Sequence, residues 1–139
     1  MKTRSWNEEL KCFIYFEEGY YTYFENGAEK FFLLGSDFGD LITRDGKHYQ
    51  FNWGAAEIFT GKLDKYGRPL FENDYIEHVG CNGVPDGISQ IVWDDEASAF
   101  FIKNDNLDIY DYFENVSYKC DLFGNENENW NIICEAVYG

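Results

Sequence analysis

Apolar and polar positions in this chain alternate over short runs, a pattern that predicts strands and turns more than helices. Lys11 to Phe24 reads Lys-Cys-Phe-Ile-Tyr-Phe-Glu-Glu-Gly-Tyr-Tyr-Thr-Tyr-Phe. Two β-rich runs flank Glu18-Gly19, as in a hairpin. Asn26-Gly27 is the strongest local turn signal and joins the second run to Lys30-Phe31-Phe32-Leu33-Leu34. The first 35 residues therefore predict a three-stranded meander. Gly35 to Gly46 reads as a loop, and Asp45-Gly46 as a hairpin turn opening Lys47 to Trp53.

The stretch from Phe59 to Ile76 organises the rest of the chain. Two short apolar runs flank a polar turn in which Gly67 stands where a positive φ is easiest. Asp64 is placed to accept hydrogen bonds from the amides that come after it. A second turn, Glu72-Asn73-Asp74, aims Tyr75 and Ile76 into a new strand running to Val79. Gly80 to Gly87 reads as a loop. Ile88 to Trp93 and Ala99 to Lys103 predict a hairpin across Asp94-Asp95-Glu96.

One helix is expected, within 104–115. Leu107, Tyr110 and Phe113 recur at spacing three, with Asp105, Asp108, Asp111 and Glu114 opposite them. Tyr118 to Phe123 and Ile132 to Val137 read as closing strands around an Asn- and Glu-rich loop, 124–131. The expectation is a single mainly β domain over 1–139, with a meander lobe at 1–54 and a second β lobe at 55–139.

A family resemblance rests on scattered positions. Thr60-Gly61, Asp64, Gly67, Phe71-Glu72, Asp74 and Ile76 resemble the core signature of the YopX-like family of phages and prophages. Arg4 and Trp6 look like its N-terminal Arg-x-Trp. Ile91-Val92-Trp93-Asp94-Asp95 looks like its Val-x-Trp-Asp strand, and Gly124-Asn125 with Glu128-Asn129 like its C-terminal Gly-Asn motif. Lys62-Leu63, Tyr66 and Asn73 depart from the pattern, the last standing where the family has Gly. The resemblance implies an SH3-like barrel in the C-terminal half. It implies structural roles for Thr60, Gly61, Asp64, Gly67, Phe71, Glu72, Asp74 and Trp93. It implies no activity.

Charge changes the functional picture. Against 11 basic residues stand 26 acidic ones, a net charge of −15. Residues 82–139 hold 12 acids against Lys103 and Lys119 alone. Such a field repels phosphate and draws basic partners, so direct nucleic-acid binding is not expected. Met1 to Leu10 is polar and no apolar run reaches bilayer length, so neither a secretory signal nor a membrane span is expected. The cytoplasm of a host cell is the expected compartment. There Cys12, Cys81, Cys120 and Cys134 would be buried thiols.

Candidate chemistry is thin. Asp94-Asp95-Glu96 and the acids of 105–114 carry oxygen ligands but lack the loop of a calcium site. His78-x-x-Cys81 offers two metal ligands without a second pair. His48 reads as an edge residue. Asp37-Phe38-Gly39 and Gly61-Lys62 lack the contexts that give kinase or phosphate-loop tripeptides meaning. Trp93 reads as core, and Trp130, in the acidic loop, as an exposed contact. No cofactor, metal or catalytic residue is assigned.

The leading expectation is a non-enzymatic protein-interaction module with an acidic surface. That surface is formed by Asp94, Asp95, Glu96, Asp105, Asp108, Asp111, Glu114 and Trp130, with a basic protein as partner and a homo-oligomer allowed. The alternatives are a DNA-mimicking decoy of a host nucleic-acid-binding protein and an enzyme using a carboxylate or Cys–His site.

Overall fold

The computed structural model describes residues 2–36, 38–80 and 83–139. Cys81 and Asp37, named above, lie outside them. The protein is mainly β, its sheets are antiparallel, and it divides into two compact units, Met1–Ile58 and Phe59–Gly139.

In the first unit, β1 (Thr3–Asn7), β2 (Cys12–Glu17), β3 (Tyr20–Glu25) and β4 (Ala28–Phe31) form an antiparallel meander. The two tight turns arise from local chemistry. Glu18 and Gly19 take φ of 52° and 87°, and Asn26 and Gly27 take 51° and 79°. Two successive left-handed residues give a turn whose twist matches that of the flanking strands. A smaller sheet comes next, made of β5 (Leu34–Gly35), β6 (Asp40–Ile42) and β7 (His48–Gln50). β6 lies in the stretch read as a loop. Ile14, Tyr21, Leu41 and Phe51 make the core of this unit, ringed by Phe16, Phe32 and Tyr49.

β8 (Glu57–Leu63) begins in the first unit, where Thr3 pairs with Ile58 and Arg4 with Glu57. Its later residues pair with β9 (Pro69–Phe71) in the second unit. The pairing slips between Phe59 and Leu63, where Gly61 stands at φ 83°. A glycine in that conformation allows the extra residue of a bulge without a Cβ clash.

The second unit is built on β10 (Tyr75–His78), β11 (Gly87–Asp94), β12 (Ala99–Asn104), β13 (Ile109–Tyr112) and β14 (Cys120–Gly124). Their order is β13-β12-β11-β10-β14. Among the described residues nothing pairs β13 with β14, so the sheet is open. Leu70, Ile76, Ile91, Ile102, Ile109, Phe113 and Val116 fill one side of it. On the other side Tyr75 meets Ile133 and Val137, with Ile88 and Phe123 beside them.

The helix expected within 104–115 does not form. Asn104 Oδ1 accepts from Leu107 N (3.1 Å) and caps one 3-10 turn, Asp105–Leu107. Asp108 then turns left-handed at φ 54°, and Ile109 pairs back onto Asn104. A three-residue spacing suits a 3-10 turn as well as an α-helix. Ile-Tyr-Asp-Tyr also alternates at the strand period, and pairing with β12 decides between the two readings. A second 3-10 turn, Phe113–Asn115, completes the segment.

The α-helix among the described residues is instead α1 (Glu126–Ile133), continued by a π turn, Cys134–Tyr138. It occupies the stretch read as loop and closing strand. Asn125 Oδ1 accepts from Asn127 N and Glu128 N, both at 3.0 Å, and Asn125 Nδ2 donates to Glu128 Oε1 at 2.9 Å. Asn125 is therefore an N-cap braced by Glu128 through its side chain, while its backbone N–H donates to Asn129 Oδ1 at 3.2 Å. Ile133 and Val137, four apart, then fall on one helical face and bury together. No helix among the described residues is long and apolar enough to cross a membrane.

Candidate functional site

Two of the signature residues, Asp64 and Gly67, build one corner. Asp64 is buried at the end of β8, where the chain turns through Gly67 (φ 81°) into β9. Its Oδ1 accepts from Tyr66 N (3.0 Å) and Arg68 N (2.8 Å). Its Oδ2 accepts from Arg68 Nε (2.7 Å) and from Leu122 N on β14 (3.0 Å). Burial on its own would raise the pKa of this carboxyl. The bonds from Leu122 and Arg68 outweigh burial and hold it below the ordinary carboxylate value. Thr60 Oγ1 donates to Leu70 O (2.8 Å) across the bulge.

The second corner obeys the same logic. Asp74 is fully buried and its Oδ2 accepts from Phe71 N at 2.8 Å. Glu72 is half-buried in the turn between them, and Phe71 is buried. Asn73 stands at φ 71°, a conformation that favours Gly and that Asn tolerates best among the other residues. Asp74→Ala should lower stability by about 1–3 kcal/mol, because a buried amide loses its acceptor. Urea denaturation of the purified variant measures this, with Asp74→Asn as the conservative comparison.

The acids of 94–114 do not share a face. Asp94, Asp95 and Glu96 sit at the β11–β12 hairpin tip, and Asp105 and Asp108 at the β12–β13 tip. Glu114 lies just past β13 and comes back toward the first tip. About 17 Å of strand separates the two ends, at the usual rise per residue. Two of the seven accept from backbone amides. Asp94 accepts from Ala97 N (2.8 Å) and from the Tyr110 hydroxyl, and Asp111 accepts from Tyr112 N and Asn115 Nδ2. The Tyr110 hydroxyl holds the Asp94 carboxyl below its ordinary pKa.

Trp93 is not a core residue. It is 43% exposed, packs edge-on against Phe100 at 4.9 Å and donates to Asp95 Oδ1. Strand alternation put it on the inner face correctly, but the hairpin projects beyond the core at that point. Trp130 is 46% exposed on α1.

The sequence reading missed the opposite face of this hairpin. Register puts Asp94, Phe101, Lys103, Tyr110 and Tyr112 on one side, and Ile91, Ile102 and Ile109 on the other. Phe101 lies 4.4 Å from Tyr112 and 4.7 Å from Tyr110, ring centre to ring centre. Tyr110 is 53% and Tyr112 43% exposed. The signal was the alternation of 99–103 and 109–112, hidden while the second segment was read as helix.

A cleft of about 460 Å³ lies at the far end of the same sheet, lined by Lys65, Glu77, His78, Asp86, Lys119 and Asp121 among others. Lys65 Nζ pairs with Asp121 Oδ2 at 2.9 Å. His78 is buried with Nε2 2.8 Å from Ser89 Oγ, and burial pushes its pKa down. Cys120 pairs with His78 in register, and burial pushes its thiol up to about 11. Both shifts run against an activated thiolate–imidazolium pair. Among the described residues, no group of three or more His, Cys, Asp or Glu side chains is placed to hold a metal ion.

Charge is divided unequally. The first unit holds 10 acids and 6 bases, and the second 16 acids and 5 bases. Of those five, Lys65 and Arg68 are already paired within the fold. Set against protein-family models and against curated proteins, the chain matches none.

Proposed function

We propose that this protein is a non-enzymatic interaction module of the YopX-like kind, working in the cytoplasm of a phage host and binding a basic protein through its second unit. One observation carries the reading. Among the described residues, none of the seven carboxylates from Asp94 to Glu114 is in an ion pair with a cation of the chain. Five of them stand at two hairpin tips, with Asp111 in β13 and Glu114 just past it, and a fixed array of like charge steers an oppositely charged partner at long range.

Two details support the family resemblance. The signature residues Thr60, Asp64, Gly67 and Asp74 make the bonds and turns of two corners, and the left-handed Asn73 stands where the family has Gly. The strand order also suits an SH3-like barrel. Four strands meander, 3-10 turns intervene, and the fifth strand returns to the first. The split of the acids between two tips favours an ordinary acidic surface over a DNA mimic, which needs closely spaced charges along one line.

The test is capture from host lysate at low and moderate salt. It compares the wild type with a variant carrying Asp95→Asn, Glu96→Gln, Asp105→Asn, Asp108→Asn and Glu114→Gln. Asp94 and Asp111 are spared because they hold the backbone. Capture by the wild type should weaken with salt, and the variant should lose most of it. Equal capture at both salt levels by both proteins would remove the acids from the function.

A further inference from the structure

Resting on the acidic-surface reading, we infer that the Phe101–Tyr110–Tyr112 ladder is the contact surface itself, and that its occupant is an extended, arginine-bearing segment of the partner protein. Three rings stand in contact on one face of a sheet. The C-terminal helix covers the same face farther along, at Tyr75 and Ile88, and stops short of them. The Tyr110 hydroxyl donates to Asp94, which fixes one ring and holds a carboxylate at its edge.

Charge complementarity selects the occupant. At some other rings the chain places one of its own cations. Arg4 lies 4.0 Å over Phe13, Lys2 5.1 Å over Tyr15, and Arg68 5.5 Å over Tyr66. Lys103 shares the ladder's face, opposite Tyr110, yet among the described residues no cation lies over Phe101, Tyr110 or Tyr112. Asp94 stands at the edge of Tyr110, and Glu114 lines a hollow beside Tyr112 together with Lys62. The face of an aromatic ring attracts a cation, and a carboxylate beside it takes the cation's hydrogens. A guanidinium does both at once, since it is planar, stacks, and donates in its own plane, whereas an ammonium is a more strongly hydrated point charge. An extended segment presents alternate side chains to such a face at the strand period.

The probe is a fluorescent nine-residue peptide of alternating arginine and serine, compared with its lysine and citrulline counterparts. Affinity for the intact protein is read by anisotropy at about 0.15 M salt, where long-range attraction is screened beyond about 8 Å. The arginine peptide should bind several-fold more tightly than the lysine peptide, and the citrulline peptide not measurably. Phe101→Leu with Tyr112→Leu should weaken arginine-peptide binding about tenfold, the size expected for losing two exposed cation–ring contacts. The near-UV spectrum beyond the lost rings and the thermal midpoint check the fold. If the double variant melts early, Tyr112→Leu alone gives the same reading at about threefold.

Arginine-peptide binding that the Leu variants leave intact would overturn the ladder, as would equal binding of the arginine and lysine peptides. If the five-amide variant still lost lysate capture, the acidic surface would stand without it. An oligothymidine that binds the wild type and not the Leu variants would make nucleic acid the occupant. A dimer in sedimentation that those variants abolish would make it a second copy of this chain. Either result also overturns the proposal.

Discussion

Asp64→Ala should cost the second unit about 3–5 kcal/mol, the largest polar effect in the protein. The carboxylate accepts from three backbone amides and one guanidinium, and its side chain is fully buried. Arg68 is half-exposed, so water screens that ion pair and the amides carry most of the loss. Leu122 N matters most to the fold, because it belongs to β14 and ties the turn to the sheet 58 residues away. Asp64→Asn keeps the shape but can present its one carbonyl oxygen to only part of this set, so it should fall between Ala and wild type.

The same carboxylate sets an acid limit. Its folded-state pKa lies below the unfolded value, so its contribution is whole above the unfolded value and is lost as pH falls through the folded one. Urea midpoints measured from neutrality down into the acid range should fall steeply for the wild type below the ordinary carboxylate value. Asp64→Asn should flatten that part of the profile. A variant curve parallel to that of the wild type would assign the acid sensitivity to other carboxylates.

Tyr75→Ala should cost about 3–5 kcal/mol and release the C-terminal helix. The ring is buried between the sheet and α1, against Ile133 and Val137. Its hydroxyl meets Glu126 Oε1 at 3.1 Å and the Tyr138 hydroxyl at 2.8 Å, so it touches both ends of the helical segment. Burial and these two neighbours push its pKa well above the ordinary tyrosine value, and alkaline titration of the folded protein should leave it neutral. Tyr75→Phe isolates the hydroxyl and should cost about 1 kcal/mol. Loss of helical circular dichroism in Tyr75→Ala and its retention in Tyr75→Phe would identify ring packing as what docks the helix.

Two hairpins of the first unit were legible in the sequence because their information is local, whereas the sequence reading had three strands where the structure adds β1 and its hairpin to β2. Glu18-Gly19 and Asn26-Gly27 set two left-handed residues each, and the strands on either side have no other way to run. Three of the four bonds to Asp64 were equally local, since Tyr66 and Arg68 are two and four residues away. The fourth, from Leu122, depends on where β14 comes to lie.

The C-terminal helix was partly written in the chain as well. Asn125 is a good N-cap residue, but the surrounding run of Asn and Glu also suits a turn, and Ile132 to Val137 reads equally as a strand. Docking of Ile133 and Val137 against Tyr75 breaks that tie. Residues 105–114 were the reverse case, a spacing of three with no packing partner for a helix and a pairing partner, β12, for a strand. Trp93 shows the limit of alternation, which names a face but not its depth.

The aromatic ladder needed most from tertiary structure. Phe101, Tyr110 and Tyr112 share a face only after β13 pairs with β12, and they remain uncovered only because α1 settles farther along the same sheet. Sequence alone determined the strand-rich composition, the turn positions and the excess of acid, all properties of single residues or near neighbours. Which rings meet, which carboxylates stand beside them and which face stays open are set by contacts between distant segments, and no local pattern encodes those.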